Sequence, residues 1–142
     1  VDQDDVENVA EILMLNNNDL YLPSNQITTI EKTYSFNQIK NIHDISNNID
    51  TIYLFQLFSH AHQLMERFDI QYYDSDTGET QLIYTALDYE HPPILTLNNP
   101  IELKQGDFIR LQTTYNNTNN EPIEFGLLST DEMMILFGYF YY

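Results

Sequence analysis

Short runs rich in Ile, Leu, Phe, Tyr and Thr recur along the chain, and Asn, Asp, Gly or Pro closes each within a few residues. Apolar and polar positions alternate inside several runs, which is the pattern of an antiparallel all-β domain. It predicts strands over residues 12–15, 19–22, 28–36, 51–62, 68–73, 81–87, 94–97, 108–115, 123–127 and 133–141, and no long helix. "YYDSDTGETQLIY" reads as a hairpin turning at residues 74–79, because Asp closes local hydrogen bonds and Gly accepts a positive φ. Its Gly comes one position too early for an EF-hand loop and no Glu closes that loop, so turn chemistry accounts for it.

The opening "VDQDDVENVA" lacks this pattern. It reads as an acidic leader or linker over residues 1–11, with a short helix over 5–11 as the alternative, ahead of one domain over 12–142. A chain of 142 residues can build a real core, and with neither Cys nor Trp that core is aliphatic and aromatic, with no covalent staple. Five Lys and Arg against 22 Asp and Glu leave a formal charge of −17. Such a field repels phosphate backbones and anionic membrane surfaces, so no nucleic acid is expected as a partner. No apolar run approaches the roughly 18 residues of a membrane span, so none is expected.

Candidate chemistry sits in "FSHAHQLM", residues 58–65. On a strand, residues two apart share a face at about 6.5–7 Å, so His60 and His62 can meet on one ion. The plain alternative is two histidines on a solvated strand face. The distal segment "STDEMMILFGYFYY" adds thioethers, Met133 and Met134, behind two acids and ahead of an apolar strand. A thioether suits Cu(I) and imidazole suits both copper oxidation states, whereas zinc prefers His, Cys and carboxylate. On an alternating strand one of the two methionines faces the core, and the residue pattern does not choose between them. A divalent-cation site built from the many carboxylates finds no support in their spacing.

In order along the chain, "HAH", "YYDSDTGETQLIY", "NPIELKQGDFIRLQTTYNN" and "STDEMMILFGYFYY" resemble the C-terminal domain of the copper type II, ascorbate-dependent monooxygenases. Peptidylglycine α-hydroxylating and dopamine β-monooxygenases are members of that family. Its His-x-His strand, Gly-Asp turn, Thr-Tyr-Asn segment and acid-acid-Met segment are matched by His60 and His62, Gly106 and Asp107, Thr114 to Asn116, and Asp131 to Met133. The resemblance runs from about residue 12 to residue 142 and implies a jelly-roll-like β-sandwich. It implies Met133 as the sulfur ligand. Met134 then falls where the family usually has a Cys, whose partner would stand near Thr113, and both cysteines are missing together.

Family enzymes hydroxylate a C–H bond with two coppers on two domains, using ascorbate as reductant. The resemblance implies that His60, His62 and Met133 bind one copper ion, the one that activates oxygen. His43 and His91 are isolated and cannot supply the second, three-histidine site. The chain alone is therefore not expected to turn over. Its expected partners are a second copper domain or another protein, with dioxygen and an apolar small substrate if it is catalytic. Phe58 stands where peptide-amidating members carry a substrate-binding Arg, Phe137 where the family has a Tyr, and Ile135 replaces an Asn, so a peptide C-terminal glycine is not the expected substrate. The rival reading is a non-catalytic β-sandwich module for copper storage or protein interaction. An excised catalytic half would expose a contiguous apolar or aromatic patch. Family habit places the protein in a secreted or periplasmic setting.

Overall fold

In the computed structural model, which describes residues 7–142, ten strands and one helix follow in the order β1 Glu11–Asn16, β2 Tyr21–Leu22, β3 Gln26–Ser35, α1 Phe36–Ile42, β4 Thr51–His60, β5 Met65–Asp74, β6 Glu79–Ala86, β7 Leu95–Lys104, β8 Phe108–Asn117, β9 Ile123–Glu124 and β10 Ile135–Tyr141. Six residues of the expected leader, 1–6, lie outside the described residues. Residues 7–10 are exposed and irregular, and β1 begins at Glu11.

Alternation decides which faces meet. In β8, buried Ile109, Leu111, Thr113, Tyr115 and Asn117 take every second position of the strand, so one whole face turns inward. Two four-stranded antiparallel sheets result, ordered β1-β10-β4-β7 and β3-β8-β5-β6, with β2 and β9 forming a small ribbon. They pack as a sandwich. Leu13, Leu15, Ile52, Leu54, Leu57, Leu136 and Phe140 come from the first sheet and Phe68, Ile70, Tyr84, Ile109, Leu111 and Tyr115 from the second, all in one buried cluster. The all-β expectation holds.

Differences from the expected elements have local causes. Residue 36 was expected to end a strand, yet Phe36 opens α1. Ser35 caps it by accepting from the Gln38 amide while the Gln38 side chain accepts from the Ser35 amide, a reciprocal box that starts a helix inside a strand-like run. Lys40 on this helix is buried, and its Nζ donates to the carbonyls of Asn47 and Ile49. β7 runs on to Lys104, past the expected end at residue 97. Leu57 and Gln56 pair with Leu95 and Thr96, after which pairing resumes at Leu54 with Ile101, so Asn98, Asn99 and Pro100 sit in an irregular stretch of a continuing strand. The hairpin turn between β5 and β6 falls where expected, with Gly78 at φ 73°.

The Gly-Asp turn before β8 is a carboxylate clamp. Gly106 takes φ 98°, and a Cβ there would press on the Ser75 side chain. Asp107 is buried and accepts four hydrogen bonds: from the Ser75 amide (2.8 Å) and hydroxyl (2.6 Å), the Lys104 amide (3.0 Å) and the Tyr72 hydroxyl (3.2 Å). Burial by itself would raise its pKa, but the donors from Ser75, Lys104 and Tyr72 outweigh it and hold the carboxyl below the ordinary aspartate value. Because the folded pKa is depressed, this stabilisation is present above the ordinary value and is lost as pH falls through the folded one. Asp107→Asn is expected to cost about 1.5–3 kcal/mol at neutral pH. In urea unfolding the gap to wild type should persist at pH 5 and close only below pH 3.8, the ordinary aspartate value; a gap unchanged at lower pH would refute the clamp's ionic character.

Candidate metal centre

A break in phase aims the first candidate ligand. Ile52 and Leu54 of β4 face the core, but after Phe55 the buried positions become Leu57 and Ser59. A bulge lies between Leu54 and Gln56, where pairing to β7 slips. It shifts Phe58 and His60 to the outer side of the sandwich. Gly138 on β10 makes the bulge possible, since a Cβ there would lie 2.1 Å from the Gln56 carbonyl oxygen.

β4 ends at His60, so His62 is not on the strand as expected but in the turn leading to β5. The rings still meet, with centroids 5.3 Å apart and planes at 87°. Met133 and Met134 likewise precede β10 and do not alternate between faces: both are buried, at 8% and 0% exposure. The Met134 sulfur accepts a hydrogen bond from the Asn17 amide group (3.5 Å) within the core. Ile135 pairs with His60 in the last step of the β4/β10 ladder. His62 and Met133 both lie just beyond that last pair, outside the ladder. The two histidines and the backbone approach to Met133 therefore lie at the end of β4 and the start of β10.

Glu132 joins the two segments. Fully buried, its carboxylate accepts from the amides of Leu64 (2.7 Å), His62 (2.9 Å) and Met133 (3.2 Å). Burial pushes its pKa up, and those three donors pull it down without cancelling the rise. The Tyr115 hydroxyl adds a second tie by donating to the Met133 carbonyl at 2.6 Å. The sequence marks the acid pair ahead of Met133 as a motif, but nothing in it shows that Glu132 works through backbone amides 68 and 70 residues away.

His62 is fixed in the tautomer a metal site needs. Its Nδ1 lies 2.9 Å from the Asp131 carbonyl oxygen. A carbonyl only accepts, so Nδ1 carries the proton and the Nε2 lone pair is left for an electrophile. Burial and the adjacent His62 both lower the His60 pKa, which keeps that ring neutral and able to coordinate. Among the described residues no three His, Cys, Asp or Glu converge. A metal held by the imidazole pair would thus need a donor of another kind, and the Met133 thioether fits that chemistry. Of the other histidines, His43 caps α1 and lies edge-on to Phe140, while His91 is exposed beside Asp88.

The family model described as the copper type II ascorbate-dependent monooxygenase, C-terminal domain, matches residues 8–142. No curated protein matches the chain.

Two substitutions check the construction. Glu132→Gln leaves at least one backbone N–H facing an amide N–H, and is expected to cost about 1.5–3 kcal/mol. Amide hydrogen exchange at His62, Leu64 or Met133 should quicken while the Asp107 turn stays protected; unchanged exchange at all three amides would show that the clamp contributes nothing. Gly138→Ala should cost about 1–3 kcal/mol in urea unfolding, because the methyl group must displace the bulge carbonyl.

Proposed function

Because the chain belongs to the family of copper type II ascorbate-dependent monooxygenase C-terminal domains, we propose that His60, His62 and Met133 hold one copper ion and that the domain is the oxygen-activating half of a C–H hydroxylating system. The observation that supports this most is the His62 ring, held by the Asp131 carbonyl with Nε2 free and set edge-on to a neutral His60. When bound, copper supplies one-electron chemistry with dioxygen, and a thioether ligand favours its reduced state.

The chain's own groups perform the rest. The bulge presents His60, the Asp131 carbonyl orients His62, and the Glu132 carboxylate ties the Met133 backbone to that of His62. Ser59, next to His60, is fixed from behind: its amide and hydroxyl both bond to the Tyr84 hydroxyl (3.1 and 3.0 Å), which donates to the Pro93 carbonyl at 2.8 Å. Electrons from ascorbate would arrive through a second copper domain, since among the described residues His43, at the end of α1, and His91, exposed beside Asp88, belong to no cluster of three such ligands. Such traffic fits a secreted or periplasmic setting.

A copper-storage or interaction module is the second reading. It draws on the outer face of the first sheet, where Tyr53 stacks on Tyr141 (4.9 Å) and Phe55 on Tyr139 (6.2 Å) beside exposed Ile12 and Met14. Either reading gives that face a partner. What separates them is whether copper, dioxygen and reductant produce turnover once a second copper domain is supplied.

Titration of the reduced protein with Cu(I) is expected to saturate near one equivalent. His60→Ala, His62→Ala and the isosteric Met133→Leu should each weaken binding by more than the roughly 10–100-fold that loss of an outer partner costs. Unchanged affinity in any variant removes that residue from the site.

A further inference from the structure

A cavity of about 670 Å³ opens beside the imidazole pair. Its floor is aromatic: Phe58 and Phe137 stack at 5.6 Å with planes 20° apart, and Phe137 stands 6.3 Å from His60. Tyr89, Pro92 and Leu127 supply the other apolar walls, and among the described residues Glu90 is the one charged residue lining it. The chain's five cations are all placed elsewhere. Lys32, Arg67 and Lys104 pair with Asp19, Asp69 and Asp76; Lys40 is engaged with backbone carbonyls; Arg110 lies over Phe108.

From this lining we propose that the cavity takes an uncharged, ring-bearing apolar small molecule, seated on Phe58 and Phe137 beside the imidazole pair. That the molecule is a substrate rests on the copper reading above; that it binds rests on the cavity alone. A carboxylate entering here would lose its water with no cation to replace it, facing Glu90. An ammonium group gains little, because Glu90 is exposed and one of its oxygens already accepts from the Tyr89 hydroxyl at 3.1 Å. A flat apolar ring needs neither, and offset stacking on the phenylalanine pair favours it.

The absence of Trp makes the test direct, since indole emission excited on the long-wavelength side of tyrosine absorption meets no tryptophan background. Indole, tryptamine and indole-3-acetate carry one ring with three charges, and each is titrated into the metal-free full chain. Indole should bind saturably at one site, with tryptamine within about threefold of it and indole-3-acetate more than about tenfold weaker. Phe137→Leu should weaken indole. Leu127→Lys, at a position 82% exposed and so harmless to the fold, should narrow the gap between indole-3-acetate and indole.

Equal binding of indole and indole-3-acetate, tryptamine tighter than indole by more than about tenfold, no saturable indole site, or indifference to Phe137→Leu would each overturn the proposal. Cu(I) titration of the same samples keeps the two ideas separate. Copper binding without indole binding sinks the cavity assignment alone, whereas indole binding without copper supports the cavity and removes the substrate role.

Discussion

One buried carboxylate holds the candidate centre together. Glu132 is fully buried and forms no salt bridge to Lys or Arg among the described residues, an arrangement that costs several kcal/mol for an isolated ion. Three backbone amides offset much of that cost, and the direction of its pKa shift shows that they do not offset all of it. The residual cost is what geometry requires. Each amide belongs to a segment that must stay in place, namely the turn bearing His62, its continuation at Leu64, and the approach to β10 at Met133. An apolar side chain of the same volume would fill the space and leave these donors unpaired, so the site would lose its register while the sandwich kept its core.

A second constraint fixes direction where Glu132 fixes position. With unbroken alternation from Ile52, His60 would share the inward phase of Leu54 and its ring would lie in the core. The bulge reverses that phase halfway along β4, and Gly138 on the neighbouring strand leaves room for the displaced Gln56 carbonyl. Phe58 turns outward by the same step, so the aromatic floor and the first imidazole are consequences of one irregularity. A strand that carried its histidine on an even pleat would need a different core.

Much of the architecture was legible because two-residue periodicity is local. Strands such as β8 declare themselves by alternation and the β5–β6 turn by Asp and Gly, while the Gly-Asp turn was marked by family likeness. What escaped depends on contacts distant in sequence. The continuation of β7 past Asn98, Asn99 and Pro100 is imposed by pairing to β4, against local signals that favour a turn. Helix α1 rests on a two-residue exchange between Ser35 and Gln38 inside a run whose Thr and Tyr favour a strand. His60, His62 and Met133 were nameable from residue type, spacing and family likeness. Strand geometry was nonetheless the wrong reason for the histidines to meet, since His62 comes after the strand has ended and is turned toward His60 by the Asp131 carbonyl and the Glu132 carboxylate.

The two sides of the centre are held by different means, and this sets how each can respond to a ligand. His60 belongs to a paired strand whose end is welded by Tyr84 to the loop at Pro93, so its position is tied to both sheets and to a cavity wall. Met133 lies outside the ladder, and two hydrogen bonds to its own backbone, from Tyr115 to its carbonyl and from its amide to Glu132, hold it in place. A thioether on a flexible side chain adjusts to a soft ion with little strain, whereas the His62 ring in its preset tautomer defines a direction. Were copper held as proposed, a rigid nitrogen donor and an adaptable sulfur would let its change of oxidation state be absorbed on one side, with no demand on the sheet that carries the aromatic floor.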